Sequence, residues 1–332
     1  MSVGEATSPS RLTIEEGSAV ATTSLAEDVR AGMTAASKNV PARHLYDAVG
    51  SALYEAITLL PEYYLTQAES AILERYASEM LERVGNVEIV ELGPGNGSKT
   101  RIVLEAALER QPLVRYRPID ISAFALRSLA ERFVAEYDRL FVNAYCGDYR
   151  SALLARPRHT DAAMLVMFLG SSIGNYEPAE AAALLRGIAR NMLSGDALLL
   201  GTDLKKSRAE LELAYDDPGG VTAAFNRNVL ARINRELGGE FDLRNFRFVA
   251  AYDERRGCVD SFQESLVDQR VRIGVLDLEV PFRKGERILT ESSYKYDEAT
   301  TRELASEAGL RLDAMWSDDA RRFTVNLLRA KR

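Results

Sequence analysis

The sequence predicts an α/β fold with a largely parallel sheet, because short apolar segments alternate with amphipathic, helix-like segments through the middle of the chain. A strand followed by a helix usually returns beside a parallel neighbour, and both faces of such a sheet are covered. The run at 162–169 has no polar residue, as expected of a strand buried on both faces. The predicted strands are 87–92, 115–121, 140–146, 162–169 and 197–202, and the helices that follow are 99–110, 123–137 and 178–193.

The chain before this region predicts helices. Apolar residues recur at three- and four-residue spacings between 43 and 66 and predict a helix that Pro61 ends. A second helix is predicted at 67–84. Residues 1 to about 20 are small and polar without periodicity, which indicates a frayed terminus.

The chain after Asp203 departs from the strand–helix alternation. Residues 206 to about 290 are rich in charge and predict two helices followed by strand-like stretches such as 270–280. From residue 300 the pattern predicts a helix and then strands at 310–316 and 323–328. These two strands are close enough in sequence to form an antiparallel hairpin at the edge of the sheet.

The composition disfavours several classes of partner and of catalytic site. The 332 residues carry a formal net charge of −7, which disfavours a nucleic acid or an anionic membrane as partner. No apolar run approaches the ~18 residues of a membrane span, and a soluble, cytoplasmic protein is expected. Two cysteines and two histidines make a disulfide framework, a zinc site or a Ser-His-Asp triad improbable, so no metal is predicted. A cofactor, carboxylates and tyrosines must supply the chemistry.

The first predicted strand runs into a glycine-rich turn, E-L-G-P-G-N-G at 91–97. Glycines permit a sharp turn and a close approach of the backbone to a ligand, and the helix that follows offers its N-terminal N–H groups. An ordinary strand-to-helix turn is the alternative interpretation. Lys99 follows without the second glycine of a phosphate-binding P-loop, and the acidic residue before the glycines is typical of methyltransferases.

Carboxylates follow the next two strands. Asp120 ends one strand and suits the two ribose hydroxyls of a nucleoside cofactor, although it could instead cap the next helix with Ser122. Asp148 follows the third strand, where it could meet an adenine edge. With Gly93, these residues predict a Rossmann-like core that binds S-adenosylmethionine (SAM). A nicotinamide dehydrogenase could share the first two features, but usually has G-x-G-x-x-G.

The fourth strand ends in the polar stretch F-L-G-S-S-I-G-N at 168–175, and ligands of open α/β sheets lie beyond such strand ends. Asn175 can donate to a carboxylate or accept from an amine, and its alternative role is to cap the helix that begins at Pro178. No N-P-P-Y or D-P-P-Y motif follows this strand, which disfavours a nucleic-acid methyltransferase.

Several motifs resemble the L-histidine Nα-methyltransferases, the enzymes of ergothioneine biosynthesis that trimethylate histidine to hercynine. The resemblance runs from about residue 43 to the end of the chain. It rests on the stretch at 168–175 and on Y-D at 46–47, L-P-E-Y-Y at 60–64, G-T-D-L at 201–204, A-Y-D-D at 214–217, G-V-T-A-A-F-N-R-N at 220–228, D-L-E at 277–279 and L-T-E at 289–291.

The resemblance implies a class I SAM-dependent methyltransferase core with an inserted α+β substrate-binding domain. The implied sections are an N-terminal helical part of the substrate-binding domain at 1–67, the core at 68–205, the insertion at 206–295 and the C-terminal completion of the sheet at 296–332. A monomer acting on a free amino acid is expected.

The resemblance also assigns residues. The implied cofactor residues are Gly93, Lys99, Asp120 and Asp148, and Tyr63 and Asn175 are implied at the reacting α-amine. The implied substrate residues are Tyr46, Tyr63, Gly170, Asn175, Tyr215, Glu291 and Ser293, with Tyr215 at the carboxylate and Tyr46, Glu291 and Ser293 at the imidazole.

One departure from the family pattern bears on the substrate. The family usually has a Glu-Met pair before the D-L-E motif, and here Asp260-Ser261 stands in its place. Ser261 could remodel the side-chain pocket, so another amino acid, such as an aromatic one, is an alternative substrate. A homologue that binds the cofactor without turnover is a third possibility.

Overall fold

The structure, a computed structural model, describes residues 10–17, 24–149 and 162–331. Its centre is an eight-stranded sheet with the strand order β1-β4-β3-β2-β5-β6-β13-β12. The six strands from β1 to β6 in that order pair in parallel, and helices pack on both sides of them. These strands are β1 (Leu12–Glu16), β2 (Val87–Leu92), β3 (Val114–Asp120), β4 (Leu140–Cys146), β5 (Ala163–Phe168), β6 (Ala197–Asp203), β12 (Leu310–Ser317) and β13 (Phe323–Ala330).

The end of the chain completes this sheet. β13 pairs antiparallel with both β6 and β12, so the predicted C-terminal hairpin is confirmed. The parallel α/β fold predicted from the alternation is confirmed as well, and the bounds of its five predicted strands agree to within one residue. The α-helices are α1 (Leu25–Thr34), α2 (Ala48–Thr58), α3 (Tyr64–Val84), α4 (Ser98–Arg110), α5 (Ala123–Glu136), α6 (Pro178–Ala189), α7 (Arg208–Tyr215), α8 (Val221–Leu237) and α9 (Glu298–Glu307).

The expectation of a frayed terminus is wrong for Leu12–Glu16, which forms the edge strand β1 beside β4. Leu12 and Ile14 pack against the core, and Glu15 accepts a hydrogen bond from Arg117 at 3.0 Å. Five residues carry too short an alternation to stand out in the sequence, and the strand is stabilised by its pairing. The rest of that expectation, at 1–9 and 18–20, lies outside the described residues.

Other bounds also differ from prediction. Helix α3 begins at Tyr64 rather than at 67, and α6 ends at Ala189 rather than at 193. The helix expected between 43 and 66 is a short 3-10 turn followed by α2, which begins where the carboxylate of Asp47 accepts the Gly50 N–H at 2.7 Å. The stretch 270–280 is two strands rather than one. A 3-10 turn separates them, and Asp277 there has a φ of 45°, which no continuous strand accommodates.

A second layer of structure stands apart from the large sheet. β11, β8 and β7 form an antiparallel sheet in that order, and β9 pairs with β10. Helices α7 and α8 pack on the first of these sheets. In the described part of the chain, no helix is long and apolar enough to cross a membrane. The remaining strands are β7 (Phe246–Asp253), β8 (Cys258–Ser265), β9 (Gln269–Ile273), β10 (Leu278–Phe282) and β11 (Arg287–Tyr294).

Candidate active site

The glycine-rich turn joins β2 to α4. Gly93, Gly95 and Gly97 all have positive φ, between 57° and 76°, which side chains with a Cβ rarely adopt. A Cβ on Gly93 would also lie 2.8 Å from the Tyr149 hydroxyl. Gly97 precedes α4 and provides no side-chain cap, and the Ser98 N–H of the first turn donates to the Asn96 side chain at 3.0 Å. This cradle fits a ligand that lies directly on the backbone.

Glu91, the acidic residue before the glycines, has a structural role here. Its buried carboxylate accepts hydrogen bonds from the Tyr116 hydroxyl at 2.6 Å and the Thr100 hydroxyl at 2.7 Å. Burial raises its pKa to about 7, although both hydrogen bonds act in the opposite direction. Glu91 therefore ties β2 to β3 and α4 beneath the glycine turn.

The predicted cofactor carboxylates lie at the neighbouring strand ends. The Gly93 N–H donates to the Ile119 carbonyl and the Gly147 N–H to the Asp120 carbonyl, each at 2.9 Å, so the ends of β2, β3 and β4 are joined. Asp120 also accepts the Ser122 N–H at 2.9 Å. This bond agrees with the alternative interpretation, in which Asp120 helps Ser122 to cap the next helix. Burial raises the pKa of Asp120, and backbone hydrogen bonds oppose the shift. Asp148 follows one residue after Gly147 and is half-buried.

Lys99 does not stand free in the cofactor turn. Its ammonium pairs with Glu69 of α3 at 2.5 Å, and the fully buried Glu69 carboxylate also accepts the Gly170 N–H at 2.8 and 3.0 Å. Burial would lower the pKa of Lys99, but Glu69 outweighs it and raises that pKa. A Cβ on Gly201 would lie 2.1 Å from a Glu69 oxygen, which explains the glycine there. Sequence reasoning missed Glu69, whose only signal is a carboxylate among apolar residues of a helix.

A cavity lies between the large sheet and the second layer, with about 480 Å³ of empty space that is partly open to solvent. It is lined by residues from the N-terminal helices, the end of β5, α7, α8 and β11. All seven residues assigned to the substrate by resemblance border it, namely Tyr46, Tyr63, Gly170, Asn175, Tyr215, Glu291 and Ser293. The lining also includes Tyr54, Ile57, Ser171, Ser172, Thr222 and Phe225, which sequence reasoning did not assign.

One wall of the cavity is aromatic. The Tyr46 ring meets Phe225 and Tyr54 edge-on, with centroids 5.3 and 5.5 Å apart. Tyr63 continues the row, 6.4 Å from Tyr54 and 6.3 Å from Tyr215. Burial raises the pKa values of Tyr46 and Tyr63 well above 10, so both hydroxyls stay protonated at neutral pH.

Asn175 is held by a close packing contact. It ends the 3-10 turn Ser172–Asn175 after β5, and a Cβ on Gly174 would lie 2.7 Å from the Tyr294 carbonyl of β11. The absence of that Cβ lets the turn approach β11, where Ser293 precedes Tyr294. Asn175 and Ser293 therefore border one cavity although 118 positions separate them in the sequence.

Glu291 contributes the carboxylate of the cavity. Burial raises its pKa to about 7, and Lys295 opposes the shift. None of the hydrogen bonds within the described residues involves its carboxylate, so Glu291 can accept a donor from a ligand. Its partner across the β8–β11 pairing is Ser261, which is buried and whose hydroxyl has no partner within the described residues. Ser261 thus adjoins Glu291, but it is not among the residues that border the cavity.

A buried charge network, also missed by sequence reasoning, lies behind Tyr215 and Ser293. Lys295 pairs with Asp203 at 2.8 Å, and both side chains are fully buried. Lys295 also donates to the Tyr215 hydroxyl at 2.7 Å and the Ser293 hydroxyl at 2.8 Å. Asp203 also forms an ion pair with Lys206 at 2.6 Å and accepts a hydrogen bond from the Tyr64 hydroxyl.

Within the described residues, no group of three or more His, Cys, Asp or Glu is arranged to hold a metal ion.

Comparison with known proteins places this geometry in context. Residues 25–330 match the model of a family described as SAM-dependent, histidine-specific methyltransferases. The histidine N-alpha-methyltransferase of Mycolicibacterium smegmatis is 46% identical, covering 91% of this chain and 94% of that protein. That of Mycobacterium tuberculosis is 44% identical with the same coverage. The ergothioneine biosynthesis protein 1 of Schizosaccharomyces pombe is 29% identical over 82% of this chain and 36% of that protein.

Proposed function

The chain belongs to the family of SAM-dependent, histidine-specific methyltransferases, and we propose that it methylates the α-nitrogen of free L-histidine to the trimethylated betaine hercynine, a step of ergothioneine biosynthesis. The observation that carries this proposal is the convergence of Tyr63, Asn175 and Glu291 on one cavity from three distant segments. The cavity offers polar groups for an amino acid backbone and a carboxylate for a ring N–H.

The cradle between β2 and α4 fits SAM. The glycine backbone and α4 N-terminus suit its amino acid portion, and Asp120 and Asp148 suit its ribose hydroxyls and adenine edge. Lys99 acts through Glu69, which links this cradle to Gly170 on the substrate side. When bound, SAM would supply a sulfonium methyl group, whose carbon a neutral amine can attack while S-adenosylhomocysteine leaves.

The residues at the amine align it rather than deprotonate it. Because the α-amine is mostly protonated at neutral pH, it must lose a proton before it reacts. Tyr63 keeps its proton and is therefore no base, while the Asn175 carbonyl can accept an amine N–H and direct the lone pair. No histidine borders the described cavity, so we assign the departing proton to water. Alignment of this kind is the main contribution an enzyme can make to such a displacement.

The far end of the cavity suits the side chain. In its ionised form Glu291 accepts a ring N–H, and Ser293 and Tyr46 offer hydroxyls beside it. The product carries a fixed positive charge on nitrogen, and aromatic faces such as those of Tyr54 and Tyr63 stabilise quaternary ammonium groups.

Mass spectrometry of the purified protein with SAM and each of the twenty amino acids tests the proposal. We expect only histidine to gain three methyl groups, and the Asn175→Ala variant to bind SAM with strongly reduced turnover. Methylation of an aromatic amino acid instead would mean that Ser261, beside Glu291, has changed the substrate. If none of the twenty amino acids is methylated, the protein does not have this activity, and a role in binding is the remaining interpretation.

The same proposal covers partners and location. A free metabolite requires no macromolecular partner, and the net charge of −7 accords with that. We therefore propose a monomeric enzyme that works in the cytoplasm and needs no metal.

A further inference from the structure

Three polar atoms form a compact triangle at the wall of the cavity. The Lys295 Nζ lies 2.7 Å from the Tyr215 oxygen and 2.8 Å from the Ser293 oxygen, and those two oxygens are 2.7 Å apart. Tyr215 and Ser293 border the cavity, whereas the Lys295 side chain is fully buried behind them. The third contact of Lys295 is Asp203, at 2.8 Å.

The protons in this triangle can be counted. An ammonium has three N–H donors and no acceptor, and Lys295 donates to the hydroxyls of Tyr215 and Ser293 while it forms an ion pair with Asp203. Both hydroxyl oxygens therefore accept from Lys295. Because the two oxygens lie at hydrogen-bond distance from each other, one hydroxyl proton must lie between them. Only one hydroxyl proton remains for a ligand in the cavity.

We propose that Lys295 is a positioning residue that restricts Tyr215 and Ser293 to one donated proton, so that the histidine ring binds as an imidazolium between Glu291 and Ser293. This inference rests on the proposed function. If the pair could donate two protons, Ser293 would serve a neutral ring nitrogen while Tyr215 served the substrate carboxylate.

The choice between the two hydroxyls follows from the strength of the acceptor. Hydrogen bonds to charged acceptors are about twice as strong as neutral ones, and a phenol is a better donor than an aliphatic alcohol. Tyr215 therefore gives its proton to the carboxylate, and Ser293 gives its own proton to Tyr215. Ser293 then presents only a lone pair to the cavity, so it can accept a hydrogen bond but not donate one. The Glu291 carboxylate is also an acceptor. An imidazolium can satisfy both, because it has an N–H at each nitrogen.

Glu291 is the charged group that borders the cavity at this end. Lys295 lies buried behind Tyr215 and Ser293, and it shares the Asp203 carboxylate with Lys206. Tyr46, on the facing segment, keeps its proton. A neutral ring would leave a nitrogen lone pair opposite the Ser293 lone pair, which is repulsive.

Nuclear magnetic resonance of ring-nitrogen-labelled histidine, bound with S-adenosylhomocysteine at about pH 8, reads the protonation state directly. Free histidine is mostly neutral there, since the ring pKa is about 6.5. We expect both ring nitrogens of the bound ligand to carry a proton. In Tyr215→Phe, Ser293 can turn its own proton into the cavity, and we expect a neutral ring. The KM for histidine in that variant should rise about 10- to 100-fold, from the lost bond to a carboxylate.

Two lysine variants separate positioning from stability. Lys295→Met frees both hydroxyls and should also give a neutral bound ring, while Asp203 keeps its bonds to Lys206 and Tyr64. Lys206→Met removes the other buried lysine on Asp203 but contacts neither hydroxyl, so the imidazolium should persist. A neutral ring in the wild-type complex, or an imidazolium that survives both Tyr215→Phe and Lys295→Met, would overturn the inference. If no histidine binds at all, the proposed function itself falls.

Discussion

The link between the two halves of the site depends on one carboxylate, and Glu69→Gln tests it. The substitution keeps the shape of the side chain but removes the charge that pairs with Lys99 at 2.5 Å. A glutamine oxygen can still accept the Gly170 N–H, so the stability that the variant loses comes mainly from the ion pair with Lys99. Breaking a buried pair costs about 3–5 kcal/mol. Because the Lys99 side chain is 20% exposed, we expect about 2–3 kcal/mol.

Chemical denaturation of wild type and variant measures this cost. The matched control is Glu79→Gln on the same helix, whose carboxylate pairs with Arg83 at the surface. Exposed pairs contribute little, so the control should change the free energy of unfolding by less than about 0.5 kcal/mol. The double variant with Lys99→Met removes both charges, and its cost should fall below the sum of the single costs by about 2 kcal/mol. Equal effects of Glu69→Gln and Glu79→Gln, or strict additivity, would refute the reasoning.

Three further predictions concern the chemistry. Asn175→Ala should lower kcat by about 100-fold or more, because a 1 Å misplacement of the substrate alone can cost that much. SAM binding, measured by calorimetry, should stay near that of the wild type. Unchanged turnover would show that Asn175 takes no part in the reaction. Asp120→Ala should raise the KM for SAM about 10-fold or more and leave the KM for histidine nearly unchanged; equal rises would indicate general disruption. Glu291 has a pKa of about 7 in the folded protein and about 4.5 when unfolded, so its burial costs stability that develops as pH rises between those values. Glu291→Gln should therefore be more stable than wild type by about 3 kcal/mol at pH 8 but not at pH 4.5. Denaturation curves that show the same difference at both pH values would contradict the shift.

Much of this architecture could be predicted from the sequence. The strands of the core are short apolar runs whose length and spacing follow from burial on both faces, and the glycines at 93, 95 and 97 indicate a backbone turn on their own. Seven of the residues around the cavity are identified through motifs shared with a family, and the other six are not. No local property of Tyr46 or Ser293 distinguishes it from an ordinary core or strand residue.

The remainder depends on contacts between distant segments. Glu69 and Lys295 acquire their roles from partners 30 and 92 positions away, Lys99 and Asp203, and local patterns carry no information on such pairs. Edge strand β1 is stabilised by β4 rather than by its own composition. In the sequence Glu91 marks the cofactor turn, whereas its partners in the structure show that it holds the strands beneath that turn.

The position of the transferred methyl groups tests the central claim most directly, because it reports which end of histidine faces the sulfonium. Nuclear magnetic resonance of the product made with methyl-labelled SAM resolves this position. With Glu291 at the ring and Asn175 at the amine, all label should appear on the α-nitrogen, and the ring should still titrate as an imidazole. Label on a ring nitrogen would mean that histidine binds in the opposite orientation, and the assignment of both ends of the cavity would be wrong.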